Sequence, residues 1–274
     1  MGFIDLKNNY HLISHAFKEP AQSSIDNASL KKSSLLFSKS KILEETIQSI
    51  KTLEDNSIFP NEIIVLYDTR NFNTLYVSQN VEKILGYTQK EFLHWESAIT
   101  SIGAYNQPKY FSDLLGFGSH FKQNFPHTNT RLKIRAHICG LKFKRKDKSE
   151  CQFLVREESN LGENLQVPEF NIAYFSEISH LIKGSEYWML FEAIESGKSF
   201  SKFYRADGVD NIPITAREQE VLTLIAAGKI TKEVAQELHI SPDTVGQHRK
   251  NMIKKLMAKD TSALIQLCKK CEII

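Results

Sequence analysis

Four cations lie close together near the end of the chain, in the stretch ISPDTVGQHRKNMIKKL over residues 240–256. They are Arg249, Lys250, Lys254 and Lys255. Residues 242 to 259 hold five basic side chains and one acidic one, a local excess of +4 against +3 for the whole chain. Lysine and arginine neutralise phosphates, and glutamine and lysine can hydrogen-bond to base edges. The chemistry that this stretch indicates is therefore nucleic-acid contact rather than catalysis.

The same stretch is predicted to be one helix with two different faces. Ser241 provides an N-cap and Pro242 lies in the first turn, where proline is tolerated. At about 100° per residue, Val245, Met252 and Leu256 fall within about 40° of one another and are expected to face a core. The opposite arc carries Asp243, Gly246, Gln247, Lys250 and Lys254. A recognition helix presents such an arc to the major groove.

Two shorter helices must position this basic helix. Thr215 and Glu218 have capping-box spacing and begin a helix that Gly228 is expected to end. Thr231 is expected to cap a second helix, KEVAQELHI, and a fourth helix, TSALIQLCKKC, follows the basic one. A short helix, a short turn and a longer basic helix make a helix-turn-helix unit.

The segment ITAREQEVLTLIAAGKITKEVAQELHISPDTVGQHRKNMIKKL closely resembles the LuxR-type helix-turn-helix. The resemblance implies groove contacts by Gly246, Gln247 and Lys250, nearby phosphates for Thr231, Lys232, Thr244 and Lys254, and a dimer surface formed by Leu264, Ile265 and Leu267. The projection places Arg249 and Lys255 on the flanks of the helix, also toward phosphates, and His248 is expected to support the helix. Gly246 stands where the family often has lysine. The glycine would either allow a close backbone approach to DNA or remove a side chain that would clash with the preferred operator.

An earlier part of the chain has a different period. EIIVLYD and TLYVS are short β-rich runs, followed by short helices and by three further strand-like runs. This order predicts an α+β domain with an antiparallel sheet. The stretch IIVLYDTRNFNTLYVSQNVEKILGYTQKEF resembles the opening of a PAS domain, which implies a sensor. We divide the chain into an N-terminal helical accessory segment (1–57), a PAS-like sensor domain (58–184), a connector (185–211) and an all-α four-helix DNA-binding domain (212–274).

Two segments leave alternatives open. The stretch over residues 40–55 has an amphipathic stripe that fits either a helix packed on its own domain or a dimer helix. The connector fits either a hairpin turning at SGKS or a helix followed by a strand. Its aromatic residues argue against a bare flexible linker.

The sequence gives little support for catalysis. We find no Ser/His/Asp constellation, Walker loop, metal-ligand cluster or phosphoacceptor receiver, so we expect no enzyme and no cofactor. His94, His120, His127 and His137 could include a haem ligand, but lone histidines usually are not ligands. Cys268 and Cys271 are expected to be ordinary helix cysteines. Four cysteines, no secretion signal and no long apolar run predict a cytoplasmic protein without membrane contact.

These expectations combine into one hypothesis. The chain would be a bacterial transcription regulator that binds double-stranded DNA as a homodimer, and its PAS-like domain would sense a small molecule or a partner. The alternative is a PAS-mediated protein-interaction module whose C-terminal domain docks a protein rather than DNA.

Overall fold

The computed structural model describes residues 41–55, 61–68, 73–94, 132–161, 170–184, 186–195, 198–205, 208–210 and 213–274. One antiparallel sheet contains β1 (Glu62–Asp68), β2 (Thr74–Val77), β3 (Leu132–Lys144), β4 (Glu150–Leu161), β5 (Phe170–Glu177), β6 (Trp188–Glu195), β7 (Lys198–Arg205) and β8 (Gly208–Asp210). Its order is β2-β1-β5-β4-β3-β6-β7-β8. The predicted combination of an α+β domain and a helical C-terminal domain is confirmed.

The inner face of the sheet forms an apolar core under two short helices, α2 (Asn80–Leu85) and α3 (Gln89–His94). Phe143, Phe153 and Phe175 meet edge to face, with ring centroids 5.1 to 6.2 Å apart. Local features mark the end of α2 and the start of α3. Gly86 ends α2 at φ 79°, and Thr88 with Glu91 forms the reciprocal bonds of a capping box before α3.

A bulge at Gly140 sets which residues of β3 face inward. The register of β3 against β4 shifts between Cys139 and Leu141, so Ile138 and Leu141 both enter the inner core. Gly140 has φ 94°, and a Cβ placed there would lie 2.5 Å from the backbone oxygen of Glu186. Only glycine satisfies both the dihedral and the close approach.

The N-terminal helix packs on the outer face of the same sheet. Helix α1 (Lys41–Asp55) buries Leu43 and Ile50 against Ile64, Leu66 and Tyr76. The Tyr76 hydroxyl donates to the Glu54 carboxylate at 2.6 Å. Of the two alternatives for this amphipathic helix, these contacts favour packing on its own domain.

The connector forms a hairpin, which is one of the two structures predicted for it. Strands β6 and β7 pair from Trp188–Arg205 to Glu195–Lys198, and β6 also pairs with β3. The connector therefore extends the sensor sheet by three strands, although the boundary at residue 184 stays a prediction. Trp188 is fully buried and packs on Phe203, with ring centroids 5.5 Å apart.

The C-terminal domain contains α4 (Ala216–Ala226), α5 (Thr231–Glu237), α6 (Pro242–Leu256) and α7 (Thr261–Lys270). The Thr215–Glu218 capping box and the Ser241 cap are confirmed, and Gly228 follows α4 at φ 91°. The predicted cap at Thr231 is wrong, because Ile230 holds the N-cap position. The Glu233 carboxylate accepts the Ile230 N–H at 2.8 Å in its place.

The C-terminal domain shares a core with the outer face of the sheet. Outward-facing sensor residues, including Cys139, Leu190 and Phe203, form one cluster with Leu256, Ala258 and other apolar residues of α4 to α7. Strands β3 and β6 are consequently buried on both faces. Among the described residues, no helix is long and apolar enough to cross a membrane.

Candidate DNA-binding surface

Helix α6 has the two faces that its sequence predicts. Val245, Met252 and Leu256 are fully buried in the C-terminal domain. On the opposite arc, Asp243, Gln247, Lys250 and Lys254 are exposed and Gly246 is half-buried. This arc therefore presents two cations, one amide group and one carboxylate to solvent, from a helix whose other side is buried.

Local hydrogen bonds hold the start of this helix. The Ser241 hydroxyl accepts the Thr244 N–H at 3.0 Å, and the Ser241 and Thr244 hydroxyl oxygens lie 2.9 Å apart. Further along, the Gln247 side-chain amide donates to Asn251 at 2.8 Å. The predicted groove residue is thus pre-oriented along the exposed arc, while Thr244 is already engaged at the cap.

Arg249 joins α6 to α5. Its Nη2 donates to the Thr231 hydroxyl at 3.3 Å, and its Nε is buried without a hydrogen-bond partner within the described residues. Both residues were predicted to lie near phosphates, and those contacts stay predictions. Removing Arg249 would disturb the packing of two helices as well as any DNA contact, so it is a poor probe of DNA binding alone.

Lys255 has a structural partner rather than a free position at the flank. Its Nζ lies 3.0 Å from the Glu218 carboxylate, whose side chain is 5% exposed. Burial raises the pKa of Glu218, but the Thr215 N–H and the Lys255 ammonium outweigh burial and hold it below its usual value. Lys255 therefore neutralises a buried carboxylate, and its place near phosphates stays a prediction.

Gly246 is not required by the fold. A Cβ placed at this position would meet nothing within 4 Å, and its φ is not positive. A glycine in a helix interior costs about 1 kcal/mol relative to alanine. Lys232, at the start of α5, is exposed.

The predicted dimer surface lies partly inside the chain. Leu264 and Leu267 are fully buried in the core that the C-terminal domain shares with the sensor sheet, and Ile265 is half-buried. In this arrangement two of the three side chains cannot contact a partner. The apolar stripe of α7 is thus used for packing within one chain, and dimerisation stays a prediction.

Of the four candidate haem ligands, the structure describes the side chain of His137. His137 lies on the outer face, fully buried, and neither ring nitrogen has a hydrogen-bond partner among those residues. Burial, followed by the nearby Arg135 and Arg156 cations, lowers the pKa of His137 to about 3. His120 and His127 lie outside the described residues, as does the side chain of His94. Within the described ranges, no three His, Cys, Asp or Glu side chains form a metal-binding group.

The cysteines of the last helix are buried thiols. Cys268 and Cys271 are at most 1% exposed, and burial raises the pKa of Cys268 to about 12. Protonated, inaccessible thiols fit the interpretation of ordinary packing residues.

Comparisons with known proteins find a family model and relatives among transcriptional regulatory proteins. The family model described as bacterial regulatory proteins, luxR family, matches residues 213–268. The transcriptional regulatory protein DesR of Bacillus subtilis is 37% identical over 86 residues, which are 30% of this chain and 43% of DesR. FixJ of Rhizobium meliloti is 33% identical over 97 residues, 33% of this chain and 48% of FixJ. The chain thus spans less than half the length of these curated relatives.

Two solved structures align over most of the chain. A Vibrio cholerae VqmA dimer is 16% identical, with 79% of this chain and 86% of that chain covered and a TM-score of 0.31. Escherichia coli SdiA is 18% identical, with 91% and 99% covered and a TM-score of 0.25. The family match covers α4 to α6 and includes the exposed arc of α6. The C-terminal part of this chain is a LuxR-type helix-turn-helix domain.

Proposed function

We propose that the chain is a sequence-specific, DNA-binding transcriptional regulator. The observation that carries this proposal is the exposed arc of α6, where Gly246, Gln247 and Lys250 stand opposite a fully buried face. Gln247 can pair with adenine and Lys250 with guanine in the major groove, while Lys232 and Lys254 reach phosphates. Two copies bound to paired half-sites would account for the dimer that the family resemblance implies.

The test is selection of DNA from sheared genomic fragments of the source organism by the full-length chain. We expect enrichment of a paired half-site by the wild type and loss of that enrichment in Lys250→Ala. Lys90→Ala removes the same charge from an exposed position of α3 and serves as the control. Lys250 is preferred to Arg249, because Arg249 also holds α5 in place.

The alternative function, docking of a protein by the C-terminal domain, gives a different result. It predicts no enrichment of any DNA sequence by the wild type at low salt. Equal enrichment by the wild type and Lys250→Ala would contradict the proposed role of the recognition arc. It would indicate that another part of the chain binds DNA.

We further propose that the PAS-like domain senses a small molecule or partner at its inner sheet face. Three polar side chains, Tyr67, Glu157 and Asn171, lie among the apolar residues of that face and support this proposal. The Tyr67 hydroxyl donates to Glu157 at 2.9 Å, and the Asn171 amide donates to the Tyr67 hydroxyl at 3.3 Å. The apolar part of this face has a small cavity of about 10 Å³, which Ile63, Phe92 and Phe153 help to line. That cavity has room for about one water molecule. The three polar side chains are therefore better candidates for contact with a ligand than the cavity is.

Glu157 should make folding stability depend on pH. Burial raises the pKa of Glu157 to about 7, although the hydrogen bond from Tyr67 opposes the rise. The folded chain then holds a proton that the unfolded chain loses near pH 4.3. This contribution to the free energy of unfolding is therefore complete below about pH 4.3 and is lost as the pH rises through about 7, a fall of about 3 to 4 kcal/mol at about 1.4 kcal/mol per pKa unit.

Urea unfolding of the wild type and Glu157→Gln at several pH values measures this effect. The difference between the two proteins should change across that window, because glutamine does not titrate. A pH-independent difference would contradict a neutral Glu157 in the folded chain. A ligand that engages Glu157 should alter the wild-type profile and leave that of Glu157→Gln unchanged.

A further inference from the structure

A turn of the sensor domain is fixed beside the end of the recognition helix. This sensor turn (residues 178–184) follows β5, and its Lys183 N–H donates to the Met257 carbonyl at 2.8 Å. In the opposite direction, the Lys259 N–H donates to the Leu181 carbonyl at 2.8 Å. These backbone hydrogen bonds hold the turn at one position relative to α6.

The sensor turn adds an exposed lysine at the end of the recognition arc. With Val245 at 0°, Lys250 and Lys254 lie at about 140° and 180° around α6, and both are exposed. Lys183 is exposed as well, and it lines one open groove together with Lys254. The arc itself stays open to solvent, so Lys183 extends its cations without covering them.

Two lysines of β3 lie on the outer face of the sheet. Leu141 and Phe143 enter the inner core, and side chains alternate along a strand, so Lys142 and Lys144 face outward. Lys144 is exposed and Lys142 is half-buried. The C-terminal domain packs on this same face. We call Lys142, Lys144 and Lys183 the sensor lysines.

The part of β3 that carries Lys142 lies beside the sensor turn. Gln152, the cross-strand partner of Lys142 in β4, donates from its side-chain amide to the Gly184 carbonyl at 3.1 Å. On the other side of β3, a Cβ placed at Gly140 would lie 2.5 Å from the backbone oxygen of Glu186. The segment that leads from the turn into β6 therefore passes close to Lys142. The sensor lysines thus form one row that continues from Lys254.

This row differs from the other cations of the sheet in having no acidic partner. Arg135, Arg145 and Lys146 each lie within 3.0 Å of a carboxylate. Within the ranges that the structure describes, neither the sensor lysines nor Lys254 form an ion pair. Paired cations balance charge inside the fold, whereas a row of unpaired ones attracts an anion from outside.

Two acids lie near the row and weaken its charge without cancelling it. Glu186 lines the groove with Lys183 and Lys254, and Glu150 stands opposite Lys144 in β4. Four lysines against two carboxylates leave an excess of 4 − 2 = +2. Glu186 is exposed, so its negative charge opposes any anion that approaches the sensor turn.

We propose that the sensor lysines form a second DNA contact, which binds the phosphate backbone of the duplex next to the half-site that α6 reads. The inference rests on the proposed DNA-binding function. Lys254 lies about 6 Å beyond Lys250 along the helix axis, at 1.5 Å per residue, and Lys183 shares its groove. A duplex held by the recognition arc is therefore the polyanion that meets the row.

The chemistry of the row fits phosphate rather than base contacts. Duplex DNA carries about one negative charge per 1.7 Å of its axis, so several phosphates lie within reach of lysines spaced along the sheet. Lysine is a compact point charge on a flexible stem, and its contacts with phosphates carry no sequence information. The sensor lysines thus add affinity and fix the orientation of the sensor on the duplex.

Two duplexes separate this contact from the one made by α6. Both contain the paired half-site that the wild type enriches; the short duplex ends at its outer edges, and the long duplex continues for about ten base pairs on each side. We expect the full-length wild type to bind the long duplex at least about tenfold more tightly at about 100 mM salt. The slope of log K against log salt should be steeper by about five, because a dimer neutralises six more phosphates at −0.9 each.

Replacing two sensor lysines should remove most of this difference. Lys144→Ala combined with Lys183→Ala should lower the slope on the long duplex by about four and leave binding of the short duplex unchanged. Lys51→Ala combined with Lys90→Ala removes the same charge from exposed positions of α1 and α3 and is the matched control. Changing the base sequence of the added segments should have no effect on the wild type.

Glu186→Gln tests the row with the opposite sign. Removing this carboxylate should tighten binding of the long duplex about three- to tenfold and leave the short duplex unaffected. A defect in folding lowers affinity, so it cannot imitate this gain. Glu82→Gln removes the same charge at an exposed position of α2 and should alter neither affinity.

Each outcome decides the proposal. Equal affinity and equal slope of the wild type on the two duplexes overturn the sensor contact and leave the proposed function intact. An equal loss on both duplexes in the double variant places the lysines within the half-site or in the fold, and it also overturns the contact. A preference for the long duplex that the double variant keeps assigns the lysines to another partner, such as an acidic protein. If the wild type binds neither duplex, the proposed function fails and this inference fails with it.

Discussion

The affinity of this chain for its operator should fall about 10⁴-fold when salt rises from 50 to 200 mM. Four cations of the surface can neutralise phosphates or enter the groove: Lys232, Arg249, Lys250 and Lys254. With four contacts per protomer, a bound dimer releases the counterions of about eight phosphates, and at −0.9 per phosphate the slope of log K against log salt is about −7. Fluorescence anisotropy of a labelled operator at five or six salt concentrations measures this slope.

Variants make the slope informative about each contact. Lys232→Ala should reduce it by about two, one phosphate in each protomer, whereas Lys90→Ala should leave it unchanged. A slope near zero would contradict DNA binding by this surface. A slope near half the expected value would contradict binding as a dimer and leave the surface itself intact.

Replacing Gly246 by alanine should change stability and DNA affinity in opposite directions. The new Cβ meets no atom of the chain within 4 Å, so the helix gains about 1 kcal/mol from the higher helix propensity of alanine. The same methyl group stands on the arc that approaches the bases. We expect the operator affinity to fall by about 1 to 3 kcal/mol, the usual cost of one spoiled base-pair contact.

Urea unfolding and operator binding of the same protein measure the two effects. Thr223→Ala is the matched control, because it raises helix propensity at an exposed site of α4 and should leave DNA affinity unchanged. If Gly246→Ala binds its operator as tightly as the wild type, the glycine has no role in recognition. If the methyl group lowers stability, the account of Gly246 as a position free of contacts is wrong.

Much of the recognition surface could be predicted because it is local. The Ser241 cap, the buried face of Val245, Met252 and Leu256 and the exposed arc depend on residues a few positions apart in one helix. The same is true of the Thr215–Glu218 box. Helical spacing determines such features before any tertiary contact forms.

The parts that could not be predicted depend on distant residues. Lys255 meets Glu218 and Arg249 meets Thr231 across separate helices, and no spacing rule relates such pairs. An apolar stripe shows that a face is buried without showing what covers it. From the sequence, Leu264 and Leu267 are therefore predicted to form a dimer surface. In the structure both lie in the core that the C-terminal domain shares with the sensor.

The sensor sheet lies between two hydrophobic cores, one on each face, and this limits where the chain can be cut into fragments that fold alone. Cutting between the sensor and the DNA-binding domain would leave Trp188, Leu190 and Phe203 facing water on one fragment. The other fragment would expose the apolar side of α7 and the Leu256 and Met257 carbonyls, which in the whole chain accept hydrogen bonds from the Trp188 indole and the Lys183 N–H. The two domains are each contiguous in sequence, but each would expose apolar surface if it were produced alone. Experiments on this protein are therefore best done with the whole chain.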